Sequence, residues 1–202
     1  MYAPTGGGVD SAQNPILWDK NQFSLVSSGS IKATPQTKTE QGTLRALYVN
    51  YVKLKSKYNG QIVFVLNNHL PAHMDNNGTP DWSQPIRVGL YKKNIAAIKN
   101  KISSARSAGV VFTTGDFNVN YRADAQVRNS VFPYNALGSI DTKASYRILN
   151  ATSGRTIKDA NRLIDYVFLT SNSHAGVSSQ NIVTSSMHSD HYPLLTTVWV
   201  RP

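Results

Sequence analysis

The chain has no cysteine, no apolar run of the roughly eighteen residues that a membrane-spanning helix needs, and few charged side chains, 16% of 202 residues. The first absence excludes disulfides, thiolate metal sites and cysteine nucleophiles, and it leaves the redox compartment open. The second excludes a helical membrane span. The third makes solubility rest on Ser, Thr, Asn and Gln. The opening residues, MYAPTGGGVDSAQ, lack both a basic and an apolar region, so no signal peptide is expected there. No Walker loop, zinc motif, GxSxG or GxGxxG supports a rival chemistry.

What is present begins with charge. Lys and Arg number 21 against 11 acidic residues, a formal net charge of +10 and a pI near 9.8. That excess favours anionic partners: nucleic acid, anionic lipid or a phosphorylated small molecule. The length suits one domain over residues 1–202, with 1–14 expected to be flexible. Residues 15–18 and 22–26 read as a β-hairpin and 27–42 as a surface loop. Residues 43–54 and 61–66 (QIVFVL) read as strands, 72–85 as a polar loop, and 86–105 as one amphipathic helix that Gly109 terminates. A strand at 110–114, a short helix at 122–128, irregular chain over 131–159 with a strand at 145–149, and strands at 162–170, 181–185 and 192–200 complete the reading. Many strands, one long helix and long polar loops indicate an α+β domain built on packed sheets.

Four strand ends carry unusual chemistry. Residues 110–119 (VVFTTGDFNV) run from an apolar strand to Asp116 and Asn118, which strict alternation sends to one side while Phe117 turns into the core. Their side-chain oxygens suit a hard cation. Asn67, Asn68 and His69 follow QIVFVL, Asp165 lies in the apolar RLIDYVF, and Ser189, Asp190 and His191 precede the last strand. Each has a bland reading as turn or locally satisfied polar chemistry. Together they suit metal-assisted attack of water on a phosphoester, with Asp165 orienting His191 and with His69 and Asn118 holding non-bridging oxygens.

The order NNHLP, GDFN, RLIDYVF, SDHYPL resembles the endonuclease/exonuclease/phosphatase superfamily, the DNase I-like fold. The resemblance covers nearly the whole chain, with GDFN and SDH matched letter for letter, Asn68 in place of the usual Thr, and one extra residue in the RLIDYVF strand. It implies a four-layer α/β/β/α sandwich and Mg²⁺- or Mn²⁺-dependent phosphoester hydrolysis. By the same resemblance, His69, Asp116, Asn118, Asp165 and His191 are catalytic, and Asp116, Asn118 and Asp190 contact the metal. Asn67, Tyr121 and Arg122 are placed to touch substrate. His73 and His188 read as solvated loop histidines, Lys92, Lys93, Lys99 and Lys101 as the solvated face of the helix, and Trp82, Tyr134 and Tyr146 as packing residues.

One departure matters. The family opens with a strand carrying an Asn and a second strand carrying a metal-binding Glu, whereas here Glu40 lies in a loop that does not match. The expectation is therefore an N-terminally incomplete fold with an unpaired sheet edge. A fragment, a piece supplied by another chain, and a degenerate member are the competing explanations, and the intact motifs favour the fragment. The basic surface tilts the substrate toward DNA or RNA. A phosphatase, a phospholipid phosphodiesterase or a non-catalytic binding module are the alternatives. The composition suits a secreted protein.

Overall fold

The computed structural model of the chain describes residues 10, 12–170, 174–184 and 188–201. In chain order the elements are β1 (Phe23–Thr34), β2 (Thr37–Thr39), β3 (Gly42–Leu44), β4 (Leu47–Ser56), β5 (Ile62–His69), β6 (Asp75–Asn76), β7 (Thr79–Pro80) and α1 (Pro85–Ala105). There follow β8 (Val110–Asp116), α2 (Tyr121–Val127), α3 (Pro133–Gly138), β9 (Thr142–Ala144), α4 (Ser145–Leu149), β10 (Asp165–Thr170), β11 (Ala175–Ile182) and β12 (Leu194–Val200).

The apolar runs of β4, β5 and β8 are buried on both faces, as strands inside a sheet must be. They form the middle of a six-stranded sheet ordered β1-β4-β5-β8-β10-β9. β5 and β8 are parallel, joined through α1, and the other ladders are antiparallel. On one face α1 buries Val88, Tyr91, Ile95, Ile98 and Ile102 against Val49, Phe64, Leu66 and Val111. Each such side chain contributes about 1.5–3 kcal/mol by leaving water. An aromatic cluster extends this layer: Phe117 lies 5.0 Å from Tyr166 and 5.4 Å from Phe168, and Tyr121 lies 4.9 Å from Tyr146.

The opposite face carries the antiparallel pair β11-β12, which packs Ala175 and Val177 onto Val63, Val110, Phe112 and Leu169. Helices, large sheet and small sheet thus stack as three of the four expected layers, in the expected order, and the outer face of the small sheet exposes Leu195 and Trp199. Among the described residues β12 pairs with β11 alone, so its second edge has no ladder partner. A groove of about 430 Å³ runs beside it, walled by Val198, Val200, Val63, Val65, Phe112 and Trp18.

Several local expectations are corrected. Residues 15–18 and 22–26 make no hairpin. Ile16 instead packs on Val52 and Leu54. Three asparagines pin this segment across the sheet: Asn14 donates to the Tyr48 carbonyl, Asn50 to that of Asn14, and Asn67 to that of Pro15. Asn14 is accordingly buried, whereas residues 1–9 and 11 of the expected flexible stretch lie outside the described residues. The expected loop 27–42 is mostly β1 and β2. Its small polar residues suit an edge strand, held only by ten register pairs with β4 and irregular at two points. Residues 145–149 form a helix, not a strand. The expected strand 181–185 starts earlier, at Ala175, and Ser185 lies outside the described residues. Gly109 does not end α1, which stops at Ala105; a Cβ there would lie 2.3 Å from the Ile62 carbonyl oxygen, so close backbone approach requires the glycine. Glu40 has a task remote in sequence: its carboxylate accepts hydrogen bonds from the Ile86 and Arg87 amides (2.6 and 3.4 Å) at the start of α1. No side chain at Gln84 caps that helix, so Glu40 supplies the acceptor and the negative charge its N-terminus favours.

Candidate active site

Three side-chain columns on the β11-β12 face change from apolar to polar toward one end of the large sheet. Along β5 the column reads Val63, Val65, Asn67, His69; along β8 it reads Val110, Phe112, Thr114, Asp116. On antiparallel β10 it reads Leu169, Val167, Asp165. Register places His69 beside Asp116 and Asp116 beside Asp165. The carboxyl ends of the two parallel strands and the amino end of the antiparallel one therefore meet at one point.

His191 enters from the loop before β12. Its backbone bridges to Ile157, and its amide donates to the Ser189 hydroxyl at 3.0 Å. Nδ1 of its ring lies 2.8 Å from Asp165 Oδ2, and Nε2 lies 3.9 Å from Asp116 Oδ2. His69 Nε2 stands 3.5 Å from the same Asp116 oxygen. Asp116 Oδ1 accepts the Asn118 amide at 2.7 Å. The expected alternation past Asp116 is corrected: Asn118 is left-handed (φ 54°), so the chain turns rather than continuing as a strand. Its Nδ2 donates to the Leu70 carbonyl at 2.9 Å, which leaves its carboxamide oxygen as the atom available to a ligand.

Burial and, next, the charge of Asp165 push the Asp116 carboxyl up to about 6, against the lowering influence of His69, the Asn118 amide and His191. Burial also raises Asp165, offset by the charge of His191 and by a hydrogen bond with the Thr156 side chain. Burial works to lower His191, but the charge and hydrogen bond of Asp165, with the charges of Asp116 and Asp190, outweigh it and hold the imidazole above its ordinary range. All three groups thus hold a proton more tightly than they would in water, and their side chains face a common centre.

Residues without an obvious signal complete the support. The buried Thr156 hydroxyl accepts the amides of Ile164 (2.9 Å) and Asp165 (3.1 Å), fixing the start of β10. Tyr146, expected only to pack, donates its hydroxyl to the Asp165 carbonyl at 2.8 Å. Arg162 reaches Asp75 at 3.0 Å and the Asn118 carbonyl at 3.2 Å, and so ties the GDFN turn to the RLIDYVF segment.

Two of the expected substrate contacts are corrected, and the third has a structural task. Tyr121 is buried in the aromatic core, its ring against Tyr134, Tyr146 and Tyr166. Arg122 donates to the carbonyls of Thr152, Gly154 and Asn161 and to Asn161 Oδ1, which makes it the clamp of the 152–161 loop. Asn67 stands in the right column but holds Pro15 and Thr114. Asp190 is exposed, one residue from His191. His73 and His188 are exposed as expected, whereas Lys92 and Lys101 lie over the rings of Trp82 and Tyr51 at 5.0 and 3.5 Å.

Gly115 joins the columns. It has φ +132°, and a Cβ there would lie 1.9 Å from the Asn68 carbonyl oxygen. Gly115→Ala should lower the unfolding free energy by about 3 kcal/mol or more, through strain and a backbone clash together. Urea unfolding checks this; an unchanged midpoint would contradict the close approach.

No family model and no curated protein sequence matches the chain. Solved structures do. An endonuclease/exonuclease/phosphatase family protein from Bacteroides thetaiotaomicron superposes with a TM-score of 0.64 at 15% identity, over 92% of this chain and 68% of that one. The chain has the endonuclease/exonuclease/phosphatase fold. The same fold relates it to the human nocturnin catalytic domain with bound sulfate (TM-score 0.61, 20% identity, 90% of this chain). It also relates it to D. rerio TDP2 complexed with single-strand DNA product (0.61, 16%, 89%). The chain spans 61% of the nocturnin structure and 69% of the TDP2 structure.

Proposed function

We propose that the chain is a phosphoester hydrolase acting on the phosphodiesters of DNA or RNA. The observation that supports this most is the convergence of His69, Asp116, Asp165 and His191, drawn from four separate segments, within hydrogen-bonding or near-contact distance of one another. Asp165 accepts from Nδ1–H of His191, which fixes the ring and directs Nε2 toward Asp116. Nε2 of His191, so oriented, is suited to take the proton of an attacking water. The imidazolium so formed and the imidazole of His69 face the same centre and balance negative charge as it builds on the phosphoryl oxygens. The oxygen–phosphorus bond to water forms as the ester bond breaks, and the leaving oxygen departs with the bonding pair and takes up the proton that His191 received. The +10 charge and a fold shared with a DNA-bound neighbour favour nucleic acid over a small phosphoester.

A divalent cation, Mg²⁺ or Mn²⁺, belongs to this proposal. Among the described residues no group of three or more His, Asp or Glu side chains is arranged to cage a metal. Mg²⁺, however, commonly takes one or two carboxylates and completes its shell with water and phosphate oxygens. The Asp116 carboxylate, crowded by the charge of Asp165, and the free Asn118 carboxamide oxygen fit such a shared site. Asp190, exposed beside His191 and acting on it through its charge, is the further carboxylate. When bound, the cation polarises the phosphoryl group and steadies the leaving oxygen.

The test is hydrolysis of supercoiled plasmid and of bis-p-nitrophenyl phosphate with Mg²⁺ or Mn²⁺. Turnover that EDTA abolishes is the expected result; DNA binding without turnover would sink the hydrolase reading in favour of a binding module.

A further inference from the structure

Beside the cluster lies a second cavity, about 450 Å³, lined by Ser153, Arg155, Asn161, Gln180, Asn181 and Thr184 among others. One wall is the 151–161 loop and the other is the end of β11 with the residues just after it. Both walls are hydrogen-bonded to the segment that carries His191. Tyr192 donates its amide to the Thr156 carbonyl, and Val183 donates to that of Pro193, at 2.8 and 2.9 Å. The residue after Arg155 is thus bonded to the residue after His191, which ties the cavity wall to the segment that carries the imidazole.

Its chemistry is one-sided. Asn161 Oδ1 accepts from Arg122 at 2.9 Å, and Gln180 Oε1 accepts from the Ser145 hydroxyl. Those bonds fix both amides so that each has an NH2 left to donate. Arg155 adds a guanidinium, whose carbon lies 6.0 Å from the Tyr192 ring centroid, and Lys158 approaches the same ring at 5.7 Å. Among the described residues no carboxylate lines the cavity. A pocket of N–H donors and positive charge without an acid selects an anionic, oxygen-rich group.

We infer that this cavity holds the phosphate adjacent to the scissile one in a polynucleotide, so that Arg155, Asn161 and Gln180 set which bond reaches His191. The inference rests on the phosphodiesterase reading above. Contacts of this kind position the strand and carry no base preference. Arg122 acts at one remove: by clamping the loop it keeps Asn161 in the wall.

The experiment compares wild type with Arg155→Ala and Arg155→Lys on three substrates: a dinucleotide with a 5′-terminal phosphate, the same dinucleotide without it, and bis-p-nitrophenyl phosphate. Arg155→Ala should raise KM about tenfold for the first and leave kcat unchanged, since a charge-assisted contact to one phosphate is lost. The other two substrates should be unaffected, and Arg155→Lys should restore much of the difference. Equal effects on all three substrates, or none on the first, would overturn the subsite. Should wild type turn over none of them, the hydrolase reading fails by itself. Anisotropy of a labelled oligonucleotide in EDTA then judges the cavity: binding weakened about tenfold by Arg155→Ala supports it, and unchanged binding refutes it.

Discussion

Replacing His191 with alanine should cut turnover of bis-p-nitrophenyl phosphate by about a thousandfold, because a positioned acid–base group typically contributes 10²–10⁴. The fold should persist. His191 lies in the loop before β12 rather than in a core cluster, and Asp165 keeps its bond with Thr156 when the imidazole is gone. Asp165→Asn is the informative companion. It preserves shape, and its carboxamide oxygen can still accept from Nδ1–H, but it removes the charge that holds His191 above its ordinary pKa. A loss of roughly ten- to a hundredfold is expected, smaller than for the histidine, since orientation is weakened and not abolished. Steady-state rates with circular dichroism as a folding control decide the matter. Unchanged rates in His191→Ala would remove this residue from the chemistry. A silent Asp165→Asn would show that the 2.8 Å contact does not matter to turnover.

The site was legible in the sequence because its residues end strands whose apolar alternation is strong. Val63-Val65 and Val110-Phe112 announce buried columns, so the polar residues two positions further along each column stand out as costly unless used. What the sequence could not say was how the columns meet. That depends on a parallel pairing of β5 with β8 and an antiparallel one with β10, both non-local. The supports were invisible for a related reason. Thr156 sits in TIKDANRL, a stretch with no periodicity, and acts through a single hydroxyl. Glu40 and Arg87 act on partners about 46 residues away. The edge strand β1 was missed because small polar residues carry little strand signal, and only its ladder with β4 defines it. Arg122 beside GDFN looked like a substrate contact, since proximity in sequence says where a guanidinium starts and not where its five donors end.

The aromatic layer behind the site contains a carboxylate that the chemistry does not use, and it should make the protein less stable as pH rises. Asp124, on α2, is fully buried; one oxygen accepts the Tyr134 amide at 2.8 Å, and the other has no partner among the described residues. Burial, with a smaller push from the charge of Asp75, raises its carboxyl to about 7, while the Tyr134 amide pulls the other way. The unfolded chain releases this proton near the ordinary aspartate value of about 3.9, whereas the folded chain retains it until near 7. Between those values the native state binds more protons than the unfolded one, so stability falls with pH and levels off above about 7. The full shift of about three units corresponds to roughly 4 kcal/mol. Asp124→Asn removes the titration and keeps an oxygen for the Tyr134 amide. Its stability relative to wild type should therefore grow by roughly 2–3 kcal/mol between pH 5 and pH 8, with most of the change below pH 7. Chemical denaturation of both proteins at those two pH values measures it. A difference that stays constant would mean that Asp124 ionises as freely in the folded protein as in the unfolded chain, and that the pocket around it is wetter than its burial indicates.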